Sequence, residues 1–290
     1  MSAQTSRYES DALPTETVDV VVIGGGAAGL NGALMLARSR RSVVVIDSGT
    51  PRNAPAAAVH GFIVLDGTPP SEILRRARAQ VRRYGGRIVF GDVASAEPTG
   101  PAPDGDLRFT VTLADRRSVT ARRVLVATGL RDVLPEVPGL AGHWGRSVVH
   151  CPYCHGWEVR DEPIGILATS PASPHQALLF RQLTDDVVYF THRTGLDADT
   201  RARFAARGIR IVETEVREVV DEDGTLAGLL LADGTFVARR VIAVAPRMQA
   251  RSEGLEGLKL PMEDLPDAMG RRFASAMAGA TDVPGVWVAG

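Results

Sequence analysis

The chain has 290 residues, 44% apolar and 23% charged, with a formal net charge of −1. So balanced a surface sets up no field to gather nucleic acid or an anionic membrane, and no stretch reaches the roughly 18 apolar residues of a membrane span, so neither is an expected partner. The length suits two domains of ordinary size. Met1 to Thr17 is polar, lacks an apolar h-region and is expected to be a disordered tail, residues 1–17, rather than a signal peptide.

Val18 to Ile23 is a short β-branched run of the kind that forms a buried parallel strand. It runs into Gly24-Gly25-Gly26-Ala27-Ala28-Gly29, then an amphipathic segment from Leu30 to Ser39, then a second apolar run, Val43 to Ile46, ending in Asp47. That order is the dinucleotide fingerprint in full context. Gly24 permits the tight turn, Gly26 lets backbone approach a pyrophosphate, Gly29 lets helix and strand pack closely, and Asp47 can accept from ribose hydroxyls.

Ser71 to Tyr84 reads as a helix with Ser71 as N-cap and Gly85-Gly86 as its stop. Arg87 to Val93, Leu107 to Leu113 and Ser118 to Val126 read as strands, with a turn at 98–106. The last of them leads into Ala127-Thr128-Gly129, and the Pro/Gly-rich stretch from Pro135 to Gly145 reads as a linker. A second α/β unit follows: strands at Ile164 to Leu167, Val187 to Thr191, Ile209 to Val220, Leu226 to Leu231 and Arg240 to Ala245, with helices at His175 to Leu183 and Asp197 to Arg207. Gly285 to Gly290 is one more apolar strand. The expected domains are 18–145 with 243–290, interrupted by an inserted unit at 146–242.

The only two cysteines form Cys151-Pro152-Tyr153-Cys154, flanked by His150 and His155. This spacing places both thiols at the start of one helical turn, where the helix dipole favours a thiolate and the sulfurs can join. The competing readings are inert thiols or half a zinc site. The sequence has no second Cys-x-x-Cys, and one short loop rarely completes a tetrahedron, so no metal is expected. A redox-active pair without a secretion signal suits the reducing cytoplasm.

The glycine fingerprint, the Ala-Thr-Gly strand end and the mid-chain Cys-x-x-Cys together resemble the low-molecular-weight thioredoxin reductases, over nearly all of Val18 to Gly290. His60-Gly61-Phe62, Asp66-Gly67-Thr68-Pro69-Pro70 and the run from Cys151 to Glu158 look like the branch that holds the dithiol oxidases of gliotoxin and holomycin biosynthesis. The resemblance implies an α/β fold of two Rossmann-like three-layer nucleotide-binding domains, an FAD domain with an inserted NAD(P)-type domain, and a homodimer. It implies FAD held by Gly24, Gly26, Ala27, Ala28, Gly29, Asp47, His60, Val93, Ala127, Thr128 and Gly129. It also implies that Cys151 meets a small dithiol or disulfide substrate, or a small redox protein, that Cys154 faces the flavin, and that His155 shuttles a proton, with His150 a competitor. By geometry, the first cysteine of such a pair is expected to be the more exposed.

Two departures stand out. The family's NADPH glycines follow the strand after Cys-x-x-Cys. Here Ala168-Thr169-Ser170-Pro171-Ala172-Ser173 follows Leu167, and Pro171 and Pro174 lack N–H donors. His192-Arg193-Thr194 stands where the family has His-Arg-Arg. Usual NADPH binding is therefore not expected, and oxygen, a ferredoxin or a second flavin becomes the candidate electron partner. The sequence also ends at Gly290, short of the family's last helix, so the expectation is either a truncated chain or one that lacks part of the flavin site. The alternatives are an NADPH-dependent thioredoxin reductase and a truncated, non-catalytic flavoprotein fold.

Overall fold

A computed structural model describes residues 9–101 and 105–290. In chain order the first unit contains β1 (Val18–Ile23), α1 (Ala27–Arg38), β2 (Val43–Asp47), α2 (Pro70–Arg83), β3 (Arg87–Phe90), β4 (Val93–Pro101), β5 (Leu107–Leu113), β6 (Ser118–Val126) and β7 (Leu130–Val133). The inserted unit contains β8 (Val148–Val149), α3 (Pro152–His155), β9 (Ile164–Leu167), α4 (Ser173–Phe180), β10 (Val187–Phe190), α5 (Ala198–Ala206), β11 (Arg210–Val212), β12 (Val216–Glu222), β13 (Thr225–Leu231), β14 (Phe236–Ala238) and β15 (Val241–Val244). The chain then returns through β16 (Arg247–Ala250), β17 (Met262–Leu265), β18 (Gly270–Phe273) and β19 (Val286–Val288).

The first sheet runs β3-β2-β1-β6-β5-β4. Its β1, β2, β3 and β6 are parallel, β4 to β6 form an antiparallel meander, and β19 joins β6 in parallel beyond the point where β5 leaves it. Val21 and Val22 of β1 are wholly buried because α1 and α2 cover one face of the sheet and the meander side covers the other. The second sheet, β11-β10-β9-β15-β8, is all parallel. It packs α4 and α5 on one face and the antiparallel β12-β13-β14 sheet on the other. This is a two-domain, Rossmann-type α/β architecture with a three-layer inserted unit.

Several expected boundaries move. The cut between residues 242 and 243 falls inside β15, which lies between β8 and β9 and so belongs to the inserted sheet. Pro69, without a side-chain bond, replaces Ser71 as the cap of α2, and Pro70 takes a first-turn position whose N–H has no helical partner. Gly91 donates to the Asp47 carbonyl and divides the strand expected over Arg87 to Val93. The turn at 98–106 gives way to β4 as far as Pro101, and residues 102–104 lie outside the described residues.

The expected tail also needs correction. Residues 1–8 lie outside the described residues, but Ser10 and Asp11 are bonded along β3. Asp11 N–H donates to the Ile88 carbonyl at 2.8 Å, and the Asp11 carboxylate accepts from Ile88 N–H at 2.7 Å and Arg82 Nε at 2.9 Å. Ser10 Oγ accepts from Phe90 N–H. The segment thus covers a sheet edge whose backbone groups would otherwise stay open. Asp11→Ala removes two of these acceptor contacts and is expected to cost about 1–2 kcal/mol, read from chemical denaturation. An unchanged midpoint would show that the edge does not need this cover.

Candidate active site

β1 ends at the glycine turn, and each glycine there does different work. Gly24 has φ +108°, and a Cβ on it would lie 2.2 Å from the Ala127 carbonyl oxygen. A Cβ on Gly29 would lie 1.9 Å from the Gly24 carbonyl oxygen, so the first turn of α1 can close onto β1 only without a side chain there. Gly26 is the N-cap of α1, in extended backbone, and a Cβ on it would meet nothing within 4 Å. The helix N-terminus, with Ala27 and Ala28 in its first turn, therefore opens onto a space that a side chain would fill. That geometry fits the pyrophosphate of a dinucleotide such as FAD.

The neighbouring strand ends complete the edge. Ala127 is buried against Gly24, Thr128 Oγ1 donates to the Arg251 carbonyl at 2.7 Å, and Gly129 turns the chain at φ +74°. Gly290 comes up beside Ala28. Asp47 is buried, with Oδ1 accepting from Gly49 N–H at 3.1 Å and Oδ2 from Arg78 at 2.9 Å. Each oxygen keeps a further lone pair, so a ribose would share this carboxylate with Arg78. Val93 opens β4 just beyond the end of β3 and is part-buried. His60 sits apart from this edge, with Nε2 3.5 Å from Glu158 and Nδ1 3.7 Å from Asp66.

The thiols lie on the short helix α3. Cys151 is its N-cap, and the Cys154 and His155 N–H groups donate to the Cys151 carbonyl at 3.2 Å. The Cys154 thiol donates to Cys151 Sγ at 2.7 Å. Burial first, then the bond to Cys151 and its charge, push the Cys154 thiol up to about 12, with Arg52 opposing. The order of exposure reverses the expectation: Cys151 is part-buried and Cys154 exposed as a residue, although its sulfur is crowded enough for burial to dominate its titration.

Both histidines are held below the usual imidazole range. For His155 the first cause is burial, opposed by Glu158 and reinforced by His60, and its buried Nδ1 has no partner among the described residues. For His150 burial again leads, while the Val244 carbonyl 3.2 Å from Nδ1 works against it. A carbonyl only accepts, so Nδ1 carries the proton and Nε2 holds a lone pair. Of the two tryptophans near the thiols, Trp144 packs into the inserted core and Trp157 is exposed beneath the Arg160 guanidinium at 4.2 Å.

Three residues near the thiols were not singled out from sequence. Arg52, in the turn after β2, makes a two-pronged pair with Asp132 on β7, at 2.8 and 2.6 Å, and Glu158 reaches His60 across the units. Arg52 follows a proline in an irregular loop and meets Asp132 80 residues later, a pairing that no periodicity reports.

The loop after β9 is closed on itself. Ser173 Oγ, fully buried, accepts from Thr169 N–H at 3.0 Å and Ser170 N–H at 3.2 Å, and Ser170 Oγ accepts from Ala172 N–H at 3.2 Å. These are the amides that a phosphate would need. Nearby, Arg193 is paired with Glu215 at 2.5 Å, and His192 Nδ1 accepts from Val216 N–H at 3.2 Å. Among the described residues no group of three or more His, Cys, Asp or Glu could hold a metal ion, and no helix is long and apolar enough to cross a membrane.

Gly24→Ala is expected to destabilise the protein by about 2–4 kcal/mol, from left-handed backbone and a clash with carbonyl oxygen. Gly26→Ala should leave the flavin-free melting temperature within about 2 °C but weaken FAD binding by about tenfold or more, since its Cβ enters only the open space. Equal thermal losses in the two variants would contradict this division of roles.

Comparison with known proteins agrees with this geometry. Thioredoxin reductase tcpT of Claviceps purpurea is 34% identical over 94% of this chain and 86% of its own length. Thioredoxin reductase aclD of Aspergillus oryzae is 30% identical over 94% and 87%. Among solved structures, HlmI superposes with a TM-score of 0.86 at 46% identity, covering 96% of this chain and 86% of its own. An oxidoreductase from Agrobacterium tumefaciens gives 0.85 at 35% identity, covering 94% and 89%. Residues 18–290 match the family model described as pyridine nucleotide-disulphide oxidoreductase, and the chain belongs to that family.

Proposed function

We propose that this flavin oxidoreductase, which acts on sulfur, exchanges electrons with a small-molecule or peptide dithiol or disulfide through Cys151 and Cys154, without NADPH bound in the usual way. The observation that carries the second half is the loop after β9, where Ser173 Oγ occupies the amides of Thr169 and Ser170. Pro171 and Pro174 remove two more donors, and Glu215 neutralises Arg193. A nucleotide phosphate would have to displace buried hydrogen bonds and would find few unengaged donors in return.

In the reductive direction the Cys151 thiolate attacks one sulfur of the substrate disulfide and expels the other as thiolate. Cys154 then attacks Cys151 Sγ, closing the protein disulfide and releasing the second substrate thiolate, so two electrons pass to the substrate. Oxidation of a dithiol is the reverse sequence. Burial raises the Cys154 thiol above the ordinary range, so it must lose its proton to a base before it attacks. His155, kept neutral by burial and with an unshared Nδ1, fits that role, and His150 offers Nε2 as a second acceptor.

Gly24, Gly26, Ala27, Ala28 and Gly29 would hold FAD at its pyrophosphate, with Asp47, Val93, Ala127, Thr128 and Gly129 along the same sheet edge and His60 on the adjoining loop. Bound FAD supplies the two-electron exchange that resets the thiol pair. The proposal extends to a homodimer in the cytoplasm, with a small substrate or small redox protein as partner. The relatives named thioredoxin reductase support the sulfur chemistry, and the match to HlmI supports the narrower reading of the branch.

NADPH is expected to show no saturable binding to the flavin-loaded protein below about 1 mM in calorimetry, which is the weak end of specific recognition. A micromolar dissociation constant would revive an NADPH-dependent thioredoxin reductase. Cys154→Ser keeps the proposed attacking thiol of Cys151 without its resolving partner, so it should accumulate a covalent adduct with a disulfide substrate, seen by intact mass spectrometry. Cys151→Ser should form none. If the adduct appears on the Cys151→Ser variant instead, the roles are inverted.

A further inference from the structure

We propose that Arg78 is a positioning residue for the cofactor, holding the Asp47 carboxylate against the glycine turn so that it can accept from the adenosine ribose of FAD, an inference that rests on the FAD reading of the first unit given above. The pattern of α2 is the first observation. Its core-facing stripe is Pro70, Leu74, Arg78 and Val81, so an arginine stands among apolar neighbours, while Arg75, Arg76 and Arg83 of the same helix are exposed. An arginine is buried in this way only when paired. Its Nη2 donates to Asp47 Oδ2 at 2.9 Å, and the two side chains are only 6% and 9% exposed. The guanidinium also lies over the Phe90 ring, 5.0 Å from its centroid. Phe90 ends β3 and is the cross-strand neighbour of Asp47 at the end of β2, so β2, α2 and β3 converge on one carboxylate.

The glycine turn fixes that carboxylate from the other side. A Cβ on Gly25 would lie 2.4 Å from Asp47 Oδ2 and 2.5 Å from its Cγ, so the acid rests on the turn itself, one residue before the N-cap of α1. Gly49 N–H donates to Oδ1 at 3.1 Å, and Gly91 N–H donates to the Asp47 carbonyl at 3.0 Å. Arg78 and Gly49 thus each take a lone pair from a different oxygen. One acceptor site remains on each oxygen, which suits the two vicinal hydroxyls of a ribose. A carboxylate already held in one orientation loses little freedom when those hydroxyls bind. Stability alone does not account for the pair. Two apolar side chains of the same volume would fill this place at equal or lower cost, whereas an acid kept for a ribose needs a partner once it is buried. Arg78 binds the acid, and its effect on the nucleotide passes through Asp47.

The test is the dissociation constant of FAD, read from the change in flavin fluorescence on titration with flavin-free protein, in a cycle of Arg78→Met, Asp47→Asn and the double variant. Arg78→Met should weaken FAD binding about tenfold. The double variant should bind FAD within about threefold of Asp47→Asn, because Arg78 then has no acid to hold. Arg78→Lys keeps a charged donor and should bind FAD more tightly than Arg78→Met. The melting temperature of each flavin-free variant reports folding separately. Should Arg78→Met fail to fold, Arg78→Gln, shorter and uncharged, takes its place and should weaken FAD about threefold or more. A loss below about threefold in the single Arg78 variant overturns the proposal. So does a double variant more than about threefold weaker than Asp47→Asn, which is what a purely structural role for Arg78 would give. Equal losses in Arg78→Lys and Arg78→Met also overturn it. Tight FAD in wild type beside an unmoved Arg78→Met sinks this inference alone, whereas a wild-type chain that binds no FAD below about 1 mM sinks the FAD reading itself.

Discussion

Strands β7 and β16 carry the chain out of the first unit and back into it, and they pair antiparallel from Leu130 with Ala250 to Val133 with Arg247. Because both crossings are bonded side by side, the inserted unit is anchored at one place on the first. The same crossing carries Asp132 to Arg52 and, through Thr128 and Gly129, ties the end of β6 to Arg251. The thiol segment begins a few residues after the linker that follows β7. Past the thiols, Glu158 of the inserted unit comes within 3.5 Å of His60 in the first.

Around that anchor the two nucleotide-type folds have different fates. In the first, glycine geometry is kept where it matters: Gly24 and Gly29 admit no side chain, and Gly26 leaves open space at a helix N-terminus. In the inserted unit the corresponding strand–turn–helix is intact, yet Ser173, buried beneath the turn, takes up its amides. Buried amides need acceptors, and a serine hydroxyl within the loop supplies one for two of them. The result is an ordered loop with its donors turned inward.

The sequence made the apolar strands plain. β1, β5, β6 and β9 have the bounds expected from their runs of Val, Ile and Leu, because a strand buried on both faces, or alternately on one, writes its burial into composition. The strands of the crossing were missed. Leu130–Val133, Arg247–Ala250, Met262–Leu265 and Gly270–Phe273 are short and largely polar, and distant partners select them rather than local propensity. At the site, Cys151, Cys154 and the glycines could be found because spacing encodes their chemistry. Arg52 could not, since its partner Asp132 lies 80 residues further along the chain. Asp11 looks like part of a tail in sequence for the same reason: its partners lie on β3 and α2, far along the chain.

The central claim is that electrons reach the flavin from sulfur and not from NADPH. Anaerobic stopped-flow absorbance of the flavin-loaded protein tests it most directly, with a small dithiol and NADPH mixed in separately. The account predicts that the dithiol bleaches the flavin band in wild type and fails to do so in Cys154→Ser, while NADPH leaves the band nearly unchanged over the same time. Rapid bleaching by micromolar NADPH, or bleaching by the dithiol that survives loss of Cys154, would contradict it.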